Sequence, residues 1–342
     1  MLQGMPLASN DRLILGCWQL AHGHGSDVEP AERVLEAHLA AGFATLDCAD
    51  IYSGVEATIG AFAAAHGLGP EQLRVHTKYV PDLADLPGLS ADDVRAAVDR
   101  SCARLGRDSL DLLQFHWWDY TLPGFLSALE TLQELKLAGR IDAIGLTNVD
   151  AAHLDAALAH GIDVAAVQTQ YSLLDRRPRG AFSERAQQGD VALLAYGSLA
   201  GGLLTRRQLG ATDVGFTPEN RSLLKYRLIV EELGGWPALQ GLLAELESVA
   251  SELGRDVASV AVGWALAQPG TRACIVGIRS TRHVAGLAAL RDAAPLPSAA
   301  LERLERARSR YPEVPGEVYA LERDRTGRHG RIMRYGLHRT DV

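Results

Sequence analysis

Asp47, Tyr52, Lys78 and His116 are side chains of the kinds that move a proton onto a carbonyl oxygen. Hydride added to a carbonyl carbon leaves negative charge on oxygen, and that oxygen needs a proton. A free tyrosine keeps its proton up to about pH 10. A neighbouring ammonium favours the phenolate and eases donation. An aspartate beside the lysine holds the ammonium in place. A histidine can hold the carbonyl oxygen by a hydrogen bond, a role worth roughly 2.7–4 kcal/mol in comparable sites. Taken singly, each residue has a plainer reading: a helix cap for Asp47, a solvated Lys78, a packed and satisfied Tyr52 or His116. Only a scaffold that brings all four together gives them joint meaning.

The elements that would position them are legible as an alternation. Short β-rich apolar runs lie at 13–16, 43–47, 73–77, 110–115, 141–146, 164–169, 191–195 and 273–277. Between them run segments of helical period at 29–41, 55–66, 91–106, 124–138, 151–160, 180–189, 239–268 (broken near Gly254) and 281–291, with a further helix at 298–310. Strand then helix, repeated eight times, predicts a parallel sheet with right-handed crossovers. An open doubly wound sheet should carry a glycine-rich phosphate loop after the first strand. The stretch GCWQLAHGHG at 16–25 lacks that spacing, and no P-loop string occurs. The expected fold is therefore a closed (β/α)8 TIM barrel, one domain over 1–342. The barrel spans about 11–310, a long excursion at 199–236 follows strand seven, and a tail occupies 311–342.

In such a barrel the chemistry sits at the C-terminal ends of the strands. Strands two, three and four deliver the four ionisable residues there. Strand one leads to Trp18, and Tyr79, Trp117 and Trp118 flank strands three and four. Strand five ends at Thr147 and Asn148, strand six carries Gln168 and Gln170, strand seven ends at Tyr196 and Ser198, and strand eight runs into Gly277 and Arg279.

Composition bounds the class. The 342 residues are 47% hydrophobic with a formal net charge of −8, which gives no basic footprint for nucleic acid. No apolar run is long enough for a membrane-spanning helix, and no secretory signal pattern opens the chain. Cys17, Cys48, Cys102 and Cys274 are widely separated and read as buried thiols in a reducing cytoplasm. No metal is implied: His22 and His24 lack carboxylate or thiolate partners nearby in the sequence.

The segments TLDCADIYSGVEATIG (45–60), HTKYV (76–80), LDLLQFHWWD (110–119), GLTNVD (145–150) and AYGSLAGGLL (195–204) together resemble the aldo-keto reductase superfamily, in order and spacing, from about residue 13 to 310. The resemblance implies an NAD(P)(H)-dependent oxidoreductase that interconverts a small carbonyl compound and an alcohol. Tyr52 would be the general acid or base, Lys78 and Asp47 would tune it, and His116 would orient the carbonyl. Asn148 and Gln168, with Thr147 beside them, would hold the nicotinamide carboxamide, and Tyr196 would stack on the ring. Ser198, Leu199 and Gly201 would line the pyrophosphate path, and Gly277, Arg279 and His283 the adenosine end. Trp18, Tyr79, Trp117 and Trp118 are candidates for the substrate pocket.

The sequence departs from the family pattern in informative places. Gly197 and Ser198 stand where Ser-Pro is usual. In GIRSTRHVAGL (277–287), His283, Gly286 and Leu287 replace the usual adenine-binding residues. Arg279 and Arg282 favour NADP(H) over NAD(H), because a guanidinium pairs well with a 2′-phosphate. The tail carries six arginines between Arg323 and Arg339. One reading folds it over the barrel mouth to make an acidic-substrate pocket; the other leaves it solvated or in a subunit contact. Two further functions compete with the reductase: a cofactor-binding regulatory subunit without turnover, and a redox-neutral enzyme that keeps its cofactor bound. Oligomeric state and substrate are not encoded in any motif.

Overall fold

The computed structural model describes residues 12–21, 29–213 and 221–338. Eight strands close a parallel barrel in chain order: β1 (Leu13–Gly16), β2 (Thr45–Asp47), β3 (Arg74–Tyr79), β4 (Leu112–Phe115), β5 (Ile144–Thr147), β6 (Val164–Gln170), β7 (Ala192–Tyr196) and β8 (Thr271–Gly277). β1 closes the ring against β8, with Ile14 opposite Ile275 and Gly16 opposite Gly277. Two edges differ from the sequence expectation for a local reason. β2 starts late because the Phe43 N–H is committed to the His38 carbonyl at the end of the preceding helix. β4 is preceded by a single bridge, Leu110 to Ile141, before regular pairing begins.

The helices are α1 (Ala31–Ala40), α2 (Val55–His66), α3 (Ala91–Leu105), α4 (Phe125–Leu137), α5 (Ala151–Ala159), α6 (Ala181–Gln188), α7 (Arg221–Glu232), α8 (Trp236–Leu253), α9 (Val257–Leu266), α10 (Val284–Asp292), α11 (Ser298–Arg308) and α12 (Ala320–Arg323). Local chemistry sets their limits. Ser90 and Asp93 form a capping box that starts α3, which satisfies two otherwise orphaned N–H groups. Gly254, with φ of 62°, separates α8 from α9, a backbone conformation that glycine adopts without steric cost.

Side-chain alternation with period two divides the sheet into two faces. Ile14, Leu112, Ala143, Ala166, Ala192, Leu194, Ala273 and Ile275 form a small buried cluster that plugs the lumen. Their sheet neighbours, including Leu15, Leu46, Phe115, Leu146 and Val167, join the larger cluster between sheet and helices. Each strand's inward register continues upward from the plug. Leu112 leads to Gln114 and His116, Ala166 to Gln168, and Leu194 to Tyr196. The apolar floor therefore hands over to polar side chains at the mouth.

Candidate active site

Asp47 is the centre of a buried polar network. One carboxylate oxygen accepts from the Lys78 ammonium. The other accepts from Gln168 Nε2 at 2.7 Å and Gln114 Nε2 at 3.0 Å. Gln168 Nε2 also donates to Gln114 Oε1 at 2.7 Å, and Lys78 reaches the Cys48 carbonyl at 2.8 Å. Every charge is thus paired and hydrogen-bonded, the condition under which a buried ion pair persists. Burial pulls the Lys78 ammonium down, but Asp47 and the facing Tyr52 hold it above the ordinary lysine value. Gln114 is absent from the sequence reading although its register predicts it: it lies two residues before His116 on the same strand. Gly145 on β5 leaves room for it, because a Cβ there would lie 3.0 Å from the Gln114 side chain.

The Lys78 ammonium lies 5.2 Å from the centre of the Tyr52 ring. Burial raises the Tyr52 hydroxyl to about 12, with the Lys78 charge opposing the rise. The phenol is therefore a loaded proton donor near neutrality. His116 is buried, and its Nδ1 lies 3.2 Å from the Thr147 carbonyl oxygen. Burial, and then the Arg323 guanidinium, push its pKa down to about 3. Its Nε2 is buried without a hydrogen-bond partner among the described residues.

The four aromatic candidates separate by register. Trp18 packs edge-on against Tyr52 at 4.7 Å, and Trp118 against His116 at 4.3 Å. Tyr79 and Trp117 follow inward-pointing residues and so point outward. Tyr79 packs on Phe115, and Trp117 on Phe115 and Phe125 of α4, in the layer between sheet and helices. These two do not line the mouth.

At the ends of β5 and β7, Asn148 and Tyr196 meet: the Tyr196 hydroxyl donates to Asn148 Oδ1 at 2.9 Å. Asn148 has φ of 57°, the left-handed region that asparagine tolerates better than most residues. Gly197 (φ 69°) and Gly201 (φ 64°) continue the chain past Ser198 and Leu199. A Cβ on Gly197 would lie 2.6 Å from the Tyr226 hydroxyl, and one on Gly201 2.9 Å from both Tyr226 and Leu223. The glycine at 197 thus has a cause: α7 lays Tyr226 against this turn. Lys225, also on α7, sits 4.6 Å over the Tyr196 ring, and burial lowers its amine to about 8.

After β8, the Arg282 side chain reaches His283 Nε2 at 3.1 Å. Burial, then Arg282, Arg279 and, from the excursion after β7, Arg207 disfavour the charged form of His283. Ser280 Oγ is buried and has no hydrogen-bond partner among the described residues, and the same holds for Gln19 Oε1 beside Gly277. A positive corner with free polar atoms suits a dinucleotide's phosphate end. An acidic group is also present: Glu29 accepts from the Thr281 N–H at 3.1 Å. Arg207, Tyr226 and Lys225 lie in the excursion, where no motif marks them. His22 and His24 lie outside the described residues.

The tail lies across the mouth. Tyr319, with φ of 62°, sets its ring edge-to-face with His116 at 5.6 Å. Arg323 donates to the Asn148 carbonyl at 2.5 Å and stacks on Tyr120 and Tyr319. Glu322 is gripped by both Arg177 Nη atoms at 2.9 Å, and Arg177 also pairs with Asp175. Tyr335 packs on Trp118 at 5.1 Å, and His338 bridges Asp50 and Asp82 at 3.0 and 3.1 Å. Arg323 and Arg328 are engaged by protein partners, Arg328 by Glu231 and Glu232 of α7.

The aldo/keto reductase family model matches residues 12–309. The NADH-specific methylglyoxal reductase of Escherichia coli (strain K12) is 31% identical over 229 residues, 60% of this chain and 69% of that protein. The uncharacterized oxidoreductase YrpG of Bacillus subtilis (strain 168) is 28% identical over 292 residues, 80% of this chain and 85% of that protein. The structure of the glycerol dehydrogenase AKR11B4 from Gluconobacter oxydans superposes with a TM-score of 0.75 at 24% identity, covering 90% of this chain and 94% of that one, a likeness of fold. The family match runs from the approach to β1 to the end of α11 and takes in all eight strands, so the chain belongs to the aldo/keto reductase family and is an oxidoreductase.

Proposed function

We propose that the chain reduces a small aldehyde or ketone with a nicotinamide cofactor, Tyr52 giving the proton, and that it runs the reverse oxidation when Tyr52 takes the proton back. The observation that carries this reading is the Asp47–Lys78 pair buried beside the Tyr52 ring, at the strand ends that also carry His116. When bound, the cofactor supplies the hydride. Tyr196, Asn148 and Gln168 would hold its nicotinamide end, Ser198, Leu199 and Gly201 its pyrophosphate, and Arg279, His283 and Arg207 its adenosine phosphate. The residues of the chain do the rest. Tyr52 places its hydroxyl proton at the carbonyl oxygen. Lys78, staying charged against Asp47, stabilises the phenolate left behind, and a proton from solvent restores the Tyr52 hydroxyl once product leaves. Asp47, fixed by two glutamines, keeps the ammonium from swinging away. Trp18, Trp118 and Tyr319 close the mouth against water, which strengthens each of these interactions.

The arginine corner supports NADP(H). Glu29 favours the second reading, NAD(H), because its carboxylate sits on the Thr281 N–H and would repel a 2′-phosphate there. The methylglyoxal reductase among the relatives is NADH-specific by name, and methylglyoxal is a sensible first substrate. The test is a fluorescence titration of the purified protein with NADPH and then NADH, followed by turnover of methylglyoxal and glyceraldehyde. Saturable binding with turnover is expected. Tyr52→Phe should still bind cofactor and lose roughly 10²–10⁴-fold in kcat, the usual share of acid–base catalysis. Binding without turnover on any carbonyl would favour a regulatory subunit. Cofactor retained through purification and never consumed would favour redox-neutral chemistry. Binding of neither cofactor would end the redox reading.

A further inference from the structure

The chain holds three lysines, Lys78, Lys136 and Lys225. Lys78 is paired with Asp47 and Lys136 with Asp163. Lys225 meets no carboxylate at ion-pair distance among the described residues. Its ammonium lies instead 4.6 Å over the Tyr196 ring and 4.9 Å over the Tyr226 ring, with the Tyr196 hydroxyl 3.4 Å away. Glu322 on the tail, and Arg177 and Asp175 after β6, are the charges of the described residues that bear on it. Those three are taken up by one another, since Arg177 bonds both carboxylates. The turn at Ala200–Gly202, which packs on α7, carries no charge. Arg328 and His329 are held by Glu231 and Glu232 at the other end of the helix. Burial thus acts on an amine without a close counter-charge and lowers it to about 8. The same burial keeps the hydroxyls of Tyr196 and Tyr226 protonated.

Tyr196 differs from the other aromatic residues of the mouth. Trp18, Trp118 and Tyr319 each pack against another ring, whereas no ring packs on Tyr196 among the described residues. Lys225 sits over it, and its hydroxyl is fixed on Asn148. The nicotinamide ring is the flat partner that the reductase reading gives Tyr196. That ring is a cationic pyridinium when oxidised and a neutral dihydropyridine when reduced, while the rest of the cofactor is common to both forms. An ammonium held on Tyr196 therefore opposes the oxidised form alone. We propose that Lys225 sets the protein's preference between the two redox forms of its nicotinamide cofactor, its ammonium disfavouring the oxidised ring and leaving the reduced ring unopposed. The inference rests on the reductase reading and adds a control to it. While Lys225 is charged, oxidised cofactor leaves readily after a reduction. Once Lys225 is neutral, the oxidised form is held more firmly. By linkage, binding of the oxidised form releases a proton from Lys225 and binding of the reduced form does not. Lys78 stands in the same mouth, but Asp47 and Tyr52 keep it charged against its burial, so its influence does not change with pH over this range.

The test is equilibrium binding of NAD⁺ and NADH, and of NADP⁺ and NADPH, between about pH 6 and 10, where an amine so placed changes charge. The natural protein, Lys225→Met and Lys225→Arg are compared. Within each cofactor pair the Kd of the oxidised form is divided by that of the reduced form, so that the phosphates and the titration of His283 cancel. In the natural protein this ratio should fall about fivefold or more as pH rises through the Lys225 value, the effect of one partly screened unit charge. Lys225→Met should give the low ratio at every pH, and Lys225→Arg, charged throughout, the high one. Calorimetry in two buffers of different ionisation enthalpy reads the proton released with the oxidised form and needs no variant. A ratio that stays constant with pH in the natural protein, or that changes equally in Lys225→Met, would overturn the inference and leave the reductase reading standing. Failure of all four cofactor forms to bind would overturn both.

Discussion

The strand-end network and the tail that crosses it meet at His116 and Asn148, yet they are built on different principles. The network of Asp47, Lys78, Gln114 and Gln168 stands on β2, β3, β4 and β6, whose ladders fix each side chain from below. The tail contains one four-residue helix, α12, and a short turn. It is placed by pairs far apart in sequence: Glu322 with Arg177, Arg323 with the Asn148 carbonyl, Tyr335 with Trp118, His338 with Asp50 and Asp82. A periodic scaffold carries the chemistry, and a set of separate contacts carries the cover. The first should fail as a unit and the second contact by contact.

The largest effect is expected at the hub. Asp47→Asn leaves the Lys78 ammonium buried without its counter-charge, at a cost of about 3–5 kcal/mol. Thermal unfolding should shift down for the whole barrel, and carbonyl reduction should drop by two orders of magnitude or more at saturating cofactor. Glu322→Gln should be milder and local. Arg177 keeps Asp175, so the expected cost is about 1–3 kcal/mol. Hydrogen exchange should lose protection over 319–335 while the strands keep theirs. Equal acceleration in the strands would show that cover and scaffold are one cooperative unit, and would break the comparison.

This contrast also explains what was legible in the sequence. The eight strands and the helices around them follow from hydrophobic period, and the four ionisable residues follow from their places at strand ends. Gln114 was equally legible by register and was overlooked, since a glutamine inside a strand carries no motif. Tyr79 and Trp117 were named for their chemistry, although the alternation that points Lys78 and His116 inward sends their neighbours outward. The tail was different. An arginine-rich stretch does not say which carboxylates it will meet. Tyr319 lies over His116 only because Glu322 and Arg323 fix a turn whose partners are more than a hundred residues away. Likewise, Gly197 could not be understood before α7 placed Tyr226 against it.

A smaller effect concerns pH at the tail's far end. The hydrogen bond to Asp50, reinforced by both carboxylates, raises His338 above its usual value. A raised folded pKa means that this contribution is fully present below the unfolded value of about 6.5 and is lost as pH rises through the folded one. Exchange protection at 335–338, corrected for intrinsic rate, should therefore fall as pH rises through that folded value, and His338→Ala should abolish the dependence. The hub should show none of it. The smallest effect is a flat line: with Tyr52 near 12 and His116 near 3, reduction at saturating substrate should vary little between about pH 6 and 9. Lys225, lowered to about 8 over the Tyr196 ring, titrates in that window, so a steep inflection that survives Lys225→Met would assign the proton to another group.

The most direct test of the central claim is transfer of deuterium from nicotinamide cofactor labelled at C4, each face in turn, to hydroxyacetone or methylglyoxal, read by mass spectrometry and NMR of the product. One face of the cofactor should deliver a single deuterium to the new carbinol carbon, at a rate cut by Tyr52→Phe. Cofactor that stays reduced while substrate is converted, or product without label from either face, would contradict the assignment of this barrel as a hydride-transferring reductase.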